Sequence, residues 1–141
     1  SNKIMLCAGS QLAGTAYVQQ VLALLPSPIR QLIDGLAWHY YPQADPVPGG
    51  LYDENRLRNF LSIVCPFTAA MGFSKAWLSE FGWDTTANPV RVAQCLQRWV
   101  NVMNEFTILK RHNMYGANIP LFQKLVSTSS LTVVGEAFRN L

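Results

Sequence analysis

At 141 residues, with 13% charged and 50% hydrophobic side chains and a net charge of +3, the chain amounts to one domain and is poor in charge, since soluble domains average about 25% charged residues. A domain this small leaves much of its surface exposed, so the apolar excess implies that other molecules cover part of the exterior. The longest apolar run, Ala16 to Leu25, holds Gln19 and Gln20 and stops at Pro26; it falls short of the roughly 18 residues of a membrane-spanning helix, and no membrane partner is expected.

Ser1 to Thr15 carries Ile4, Met5, Leu6 and Leu12 with no helical period. Its single Lys and its Gly-Ser-Gln polarity do not make a signal peptide, and it reads as an apolar arm. Thr15 caps a helix over Ala16–Leu25. Pro26-Ser27-Pro28 ends that helix and starts a second, predicted over Pro28–Tyr41, with Ile29, Leu32, Ile33, Leu36 and Tyr40 on one face. Gly35 would weaken it by about 1 kcal/mol relative to Ala.

Pro42 to Gly50 holds three prolines and two glycines, which makes it a surface loop. Asp53 caps a third helix that buries Leu57, Phe60, Leu61 and Val64. Cys65-Pro66 restarts or kinks it, and Phe67 to Gly72 is a short helical piece. Ser74 caps a helix over Lys75–Phe81, stopped by Gly82. Asn88-Pro89 is the clearest start signal in the chain. From there Val92, Leu96, Trp99, Met103 and Phe106 form the apolar stripe of a long central helix over Pro89–Lys110.

His112 to Pro120 reads as a loop, Pro120 to Val126 as a short helix, Ser127 to Ser130 as polar, and Leu131 to Leu141 as a weak helix or tail. The expected fold class is therefore all-α: a compact bundle of about six to seven short helices around a long central one, with extended apolar arms at both ends. The domain plan is an N-terminal arm over 1–15, a helical core over 16–126 and a C-terminal arm or helix over 127–141.

Cys7, Cys65 and Cys95 are odd in number and far apart, with no C-x-x-C. That excludes a disulfide framework and the common zinc spacings, and implies a reducing, intracellular setting or a virion. No metal and no cofactor is expected: H-x-x-x-H and an Asp-rich calcium loop are missing, and Gly49-Gly50 lack the Lys-Ser/Thr of a phosphate loop. G-x-S-x-G is missing as well. His39 and His112 are the only histidines, so an enzyme would need a pocket joining one of them to a cysteine or a carboxylate. Neither lies in a catalytic motif, and the sequence reads as that of a non-enzyme.

Charge is uneven, −1 over residues 1–84 and +4 over 85–141, as on a protein with a polyanion-facing side. Arg56-Leu57-Arg58-Asn59-Phe60 and Lys110-Arg111-His112-Asn113-Met114-Tyr115 interleave cations with aromatic rings that can stack on unpaired bases. The candidate nucleic-acid contacts are Arg56, Arg58, Arg91, Arg98, Lys110 and Arg111.

With a helical core, apolar ends and a basic second half, the plan resembles in architecture the coat or nucleocapsid proteins of helical RNA viruses. The expected function is that of a self-assembling structural protein, a homo-oligomer packed through its arms that binds single-stranded RNA or another polyanion. The alternative is a helical protein-interaction module (adaptor, chaperone or effector) that uses the 42–50 loop and exposed aromatics without nucleic acid.

Overall fold

A computed structural model describes residues 4–10, 13–41, 52–82, 88–114, 126–127 and 130–139. Its elements run β1 (Ile4–Ser10), α1 (Ala13–Leu24), α2 (Ser27–Arg30), β2 (Ile33–Tyr40), α3 (Tyr52–Ala70), β3 (Lys75–Phe81), α4 (Pro89–Asn104), β4 (Leu109–Met114), β5 (Val126–Ser127), β6 (Ser130–Leu131) and α5 (Val133–Arg139). The first four strands form one sheet in the order β1-β2-β3-β4, every pairing parallel, while β5 and β6 pair antiparallel. The all-α bundle is thus overturned, and the fold is α/β. Strands that neighbour each other in chain order, with a helix in each crossover, follow the winding of a (β/α)8 barrel. A doubly wound sheet would reverse its strand order.

Two of the stretches expected as helices are strands, for one physical reason. A parallel strand has its faces covered and reads as an almost continuous apolar run, which over four to eight residues looks like a buried helical turn. In β2, Leu36, Trp38 and Tyr40 alternate into the layer between sheet and helices, and in β3 Ala76 and Leu78 do the same. Gly35 is a strand residue at a close approach: a Cβ there would lie 2.2 Å from the carbonyl oxygen of Lys75 on β3.

The helices follow local signals more closely. Asn88 caps α4, its side chain accepting from the backbone N–H groups of Val90 and Arg91, with Pro89 in the first turn. Val92, Leu96, Trp99 and Met103 are buried as their spacing requires. The helix ends at Asn104, however, so Lys110 and Arg111 lie on β4 rather than at a helix end. α3 runs unbroken through Pro66. Ser62 and Pro66 are both exposed, so the carbonyl that Pro66 cannot bond faces water.

The expected apolar arms are folded back. Ile4–Ser10 is the strand β1 beside β2, and α5 packs on α4 with Val134 fully buried. The proline-rich stretch 42–50 and the segment 115–125 fall outside the described residues. One apolar cluster joins α1, α3 and α4 to the sheet through Val18, Leu57, Leu61, Leu96, Trp38, Trp99 and their neighbours. Trp99 is its hub, with ring centroids 5.4 Å from Tyr40 and 5.9 Å from Phe81. In the same layer Trp38 Nε1 donates to Thr68 Oγ1 at 3.1 Å, and that hydroxyl donates to the Val64 carbonyl at 2.7 Å.

Gly35→Ala forces β2 away from β3, and overpacking of this kind costs about 1–3 kcal/mol. Urea unfolding should show a lower midpoint at an unchanged slope; a wild-type midpoint would contradict the close approach.

Candidate active site

The carboxyl ends of parallel strands are where barrel folds of this winding carry their chemistry. There the pairing of β2 with β3 slips: Trp38 stands opposite Leu78, but His39 stands opposite Glu80, so β3 holds one extra residue, Ser79. Side chains along a strand alternate between faces, and by that count Glu80 would follow Leu78 into the apolar layer. The bulge reverses the phase. Phe81 takes the buried place against Trp99, and Glu80 turns to the other face of the sheet.

On that face Glu80 meets the ends of β2 and its following residue. Tyr41 Oη donates to Glu80 Oε2 at 2.5 Å, and His39 Nδ1 lies 3.3 Å from the same oxygen. The other ring nitrogen, His39 Nε2, lies 3.6 Å from Cys7 Sγ on β1. Three adjacent strands therefore place a thiol, an imidazole and a carboxylate in contact, with a phenol on the carboxylate. Among the described residues no group of three His, Cys, Asp or Glu side chains could hold a metal ion.

The surroundings of Glu80 set it apart from four other carboxylates. Asp34 pairs with Lys75, Glu54 with Arg98 at 3.1 Å, Glu105 with Arg58 at 2.7 Å and Glu136 with Arg139 at 2.5 Å. The Glu54–Arg98 contact is ionic rather than hydrogen-bonded, because the Arg98 Nε–H does not point at the facing oxygen. Each of these four has a cationic partner. Glu80 instead has a phenol and an imidazole, both polar groups that can also meet a ligand.

The six basic residues picked from the sequence are spread over α3, α4 and β4. Arg56 and Lys110 are exposed, and Lys110 Nζ donates to the Thr107 carbonyl at 2.6 Å. Arg91 is half-buried on α4. Arg58 and Arg98 are tied to carboxylates, and Arg111 lies in β4, paired with Trp77 in the ladder. Composition and motif spacing pointed away from Cys7, His39, Tyr41 and Glu80, which are brought together only by the sheet. The usable signal was the phase break itself: Ala76, Leu78 and Phe81 fit a strand only if one residue is extra, and that frees Glu80. A cavity of about 570 Å³ lined by Leu22, Arg30, Ile33, Met71 and Phe73 lies at the opposite, amino end of the strands, the end that serves stability in barrels.

No protein-family model matches the sequence, and no curated protein matches it significantly. Among solved structures the chain is similar to a curdlan-specific exo-β-1,3-glucanase of glycoside hydrolase family 128 (subgroup III) from Blastomyces gilchristii, in complex with glucose. That match has a TM-score of 0.69 and 19% identity, and covers 97% of this chain and 52% of the other. It is similar as well to a subgroup I endo-β-1,3-glucanase from Amycolatopsis mediterranei. Two variants of that enzyme, each with a different glutamate replaced by alanine, hold laminaripentaose in one case and laminaritriose with laminaribiose in the other. Both match with a TM-score of 0.67 over 93% of this chain and 55% of theirs, at 12% and 14% identity.

The likeness is one of fold, and the chain spans about half the length of the structures it matches. The parallel sheet and this likeness to enzyme folds overturn the expectation of a non-enzymatic coat or nucleocapsid protein that binds RNA, and of the helical interaction module beside it.

The Arg58–Glu105 pair, which joins α3 to the end of α4 through two hydrogen bonds of 2.8 and 2.7 Å, has a measurable pH signature. The hydrogen bond from Arg58 holds the Glu105 carboxyl below its ordinary value of 4.5. A depressed carboxylate contributes stability above its unfolded pKa and loses it as pH falls through the folded one. Glu105→Gln should therefore melt below wild type at pH 7, and the two melting temperatures should converge once pH falls below 4.5. A gap that is constant with pH would show that the pair carries no charge-linked stability.

Proposed function

We propose that the chain supplies one catalytic carboxylate, Glu80, of a glycoside hydrolase acting on β-1,3-linked glucan. The observation that carries this reading is a glutamate turned out of the apolar layer by a bulge, held at the carboxyl rim of a parallel sheet by Tyr41 and His39. The fold likeness supports it, because the matched structures are β-1,3-glucanases.

Glycoside hydrolysis uses two carboxyl groups, about 5–5.5 Å apart when one forms a covalent glycosyl intermediate and about 6.5–9.5 Å apart when a water stands between them. Glu80 accepts from Tyr41, so it takes the part of the nucleophile or base that meets the anomeric carbon. Tyr41 and His39 fix Oε2, and Oε1 is the oxygen presented to the sugar. The proton for the leaving group comes from a second carboxyl, which is not among the side chains that touch Glu80.

Release of reducing ends from laminaripentaose tests the proposal. Glu80→Gln should fold normally and lower turnover by about 10³-fold, within the range that a positioned acid, base or nucleophile contributes. Turnover unchanged in Glu80→Gln, or a wild-type protein that cleaves no β-1,3-linked oligosaccharide, would remove the reading.

A further inference from the structure

The glucan-cleaving scheme uses one side of His39 and leaves the other unexplained. Its Nε2 lies 3.6 Å from Cys7 Sγ while its Nδ1 lies 3.3 Å from Glu80 Oε2. The three residues come from β1, β2 and β3 and stand in the order thiol, imidazole, carboxylate. That is the arrangement of an activated nucleophile: a nucleophilic atom beside a base, with the base oriented by a third group.

Cys7 also differs from the other two cysteines. Cys65 and Cys95 are each 3% exposed and belong to the apolar cluster, and burial pushes the Cys65 thiol up to about 11. Cys7 is exposed.

We propose that Cys7 is a second nucleophile at this rim, with His39 as its base, and that it takes carbon electrophiles of the alkyl halide or epoxide class. With the ring proton on Nδ1, the nitrogen 3.3 Å from Glu80 Oε2, the Nε2 lone pair faces the thiol. Nε2 removes the S–H proton as the sulfur electron pair forms the S–C bond. With an alkyl halide the halide departs with the electrons of the broken C–X bond and the proton stays on His39. With an epoxide the opened ring oxygen takes those electrons and receives the proton back. The reaction needs no oxidant or reductant, and it goes beyond the glycosidase reading without requiring it.

The test is the rate of iodoacetamide alkylation at pH 7, followed for each cysteine by peptide mass spectrometry. In the wild-type protein Cys7 should react about tenfold faster than N-acetylcysteine, because the neighbouring imidazole takes the S–H proton as the S–C bond forms, while Cys65 and Cys95 stay unmodified. His39→Gln should return Cys7 to the rate of N-acetylcysteine, and Glu80→Gln should slow it as well.

A wild-type Cys7 no faster than N-acetylcysteine overturns the proposal before any variant is needed. So does a Cys7 rate that His39→Gln leaves unchanged. Glucan cleavage plays no part in the readout: a slow Cys7 in an active hydrolase removes this inference alone, and a fast Cys7 in an inactive one leaves it standing.

Discussion

Leu78 and Phe81 are both fully buried in the layer between sheet and helices, three residues apart in a strand whose side chains change face at every step. Both cannot be inside unless the strand carries an extra residue, and Ser79 is that residue. Its hydroxyl lies 3.4 Å from the Trp38 carbonyl across the slip. The hydrophobic demand of Phe81 for the Trp99 ring therefore decides the direction of Glu80. The face on which a charged group ends up is set by an apolar neighbour one bond further along the chain.

The chain spans about half the length of the structures it matches, and its own sheet is open. Among the described residues β1 pairs with β2 alone and β4 with β3 alone, so four strands make an arc with two free margins. The helices cover one side of the arc, and Cys7, His39 and Glu80 lie on the other. In a closed barrel that second side faces the lumen and the residues at its upper rim face one another across the opening.

Where the sequence was legible, a local signal decided the structure. Asn88-Pro89 fixed the start of α4, and the spacing of Val92, Leu96, Trp99 and Met103 fixed its buried face. Where it was not, strand and helix predicted the same residues. Ile33 to Tyr40 offers Ile33, Leu36 and Tyr40 to a helical face and Leu36, Trp38 and Tyr40 to a strand, and only the pairing with β1 and β3 chooses. Parallel strands that spend their residues on a buried layer contribute to the scarcity of charge. The basic patch was equally opaque: Arg58 and Arg98 lie beside carboxylates distant in sequence, which no charge count along the chain can reveal. Glu80 was invisible as a site residue because its partners lie 39 and 41 positions away, on or just after another strand.

Trp99 touches Tyr40 and Phe81, and these two flank the site residues directly, Tyr40 between His39 and Tyr41, Phe81 immediately after Glu80. The indole thus acts as a shared backstop for both walls of the rim while remaining wholly buried itself. Drift at this tryptophan over evolutionary time would reach the rim as well as the interior, since the ring that fills the core also backs the two strand ends.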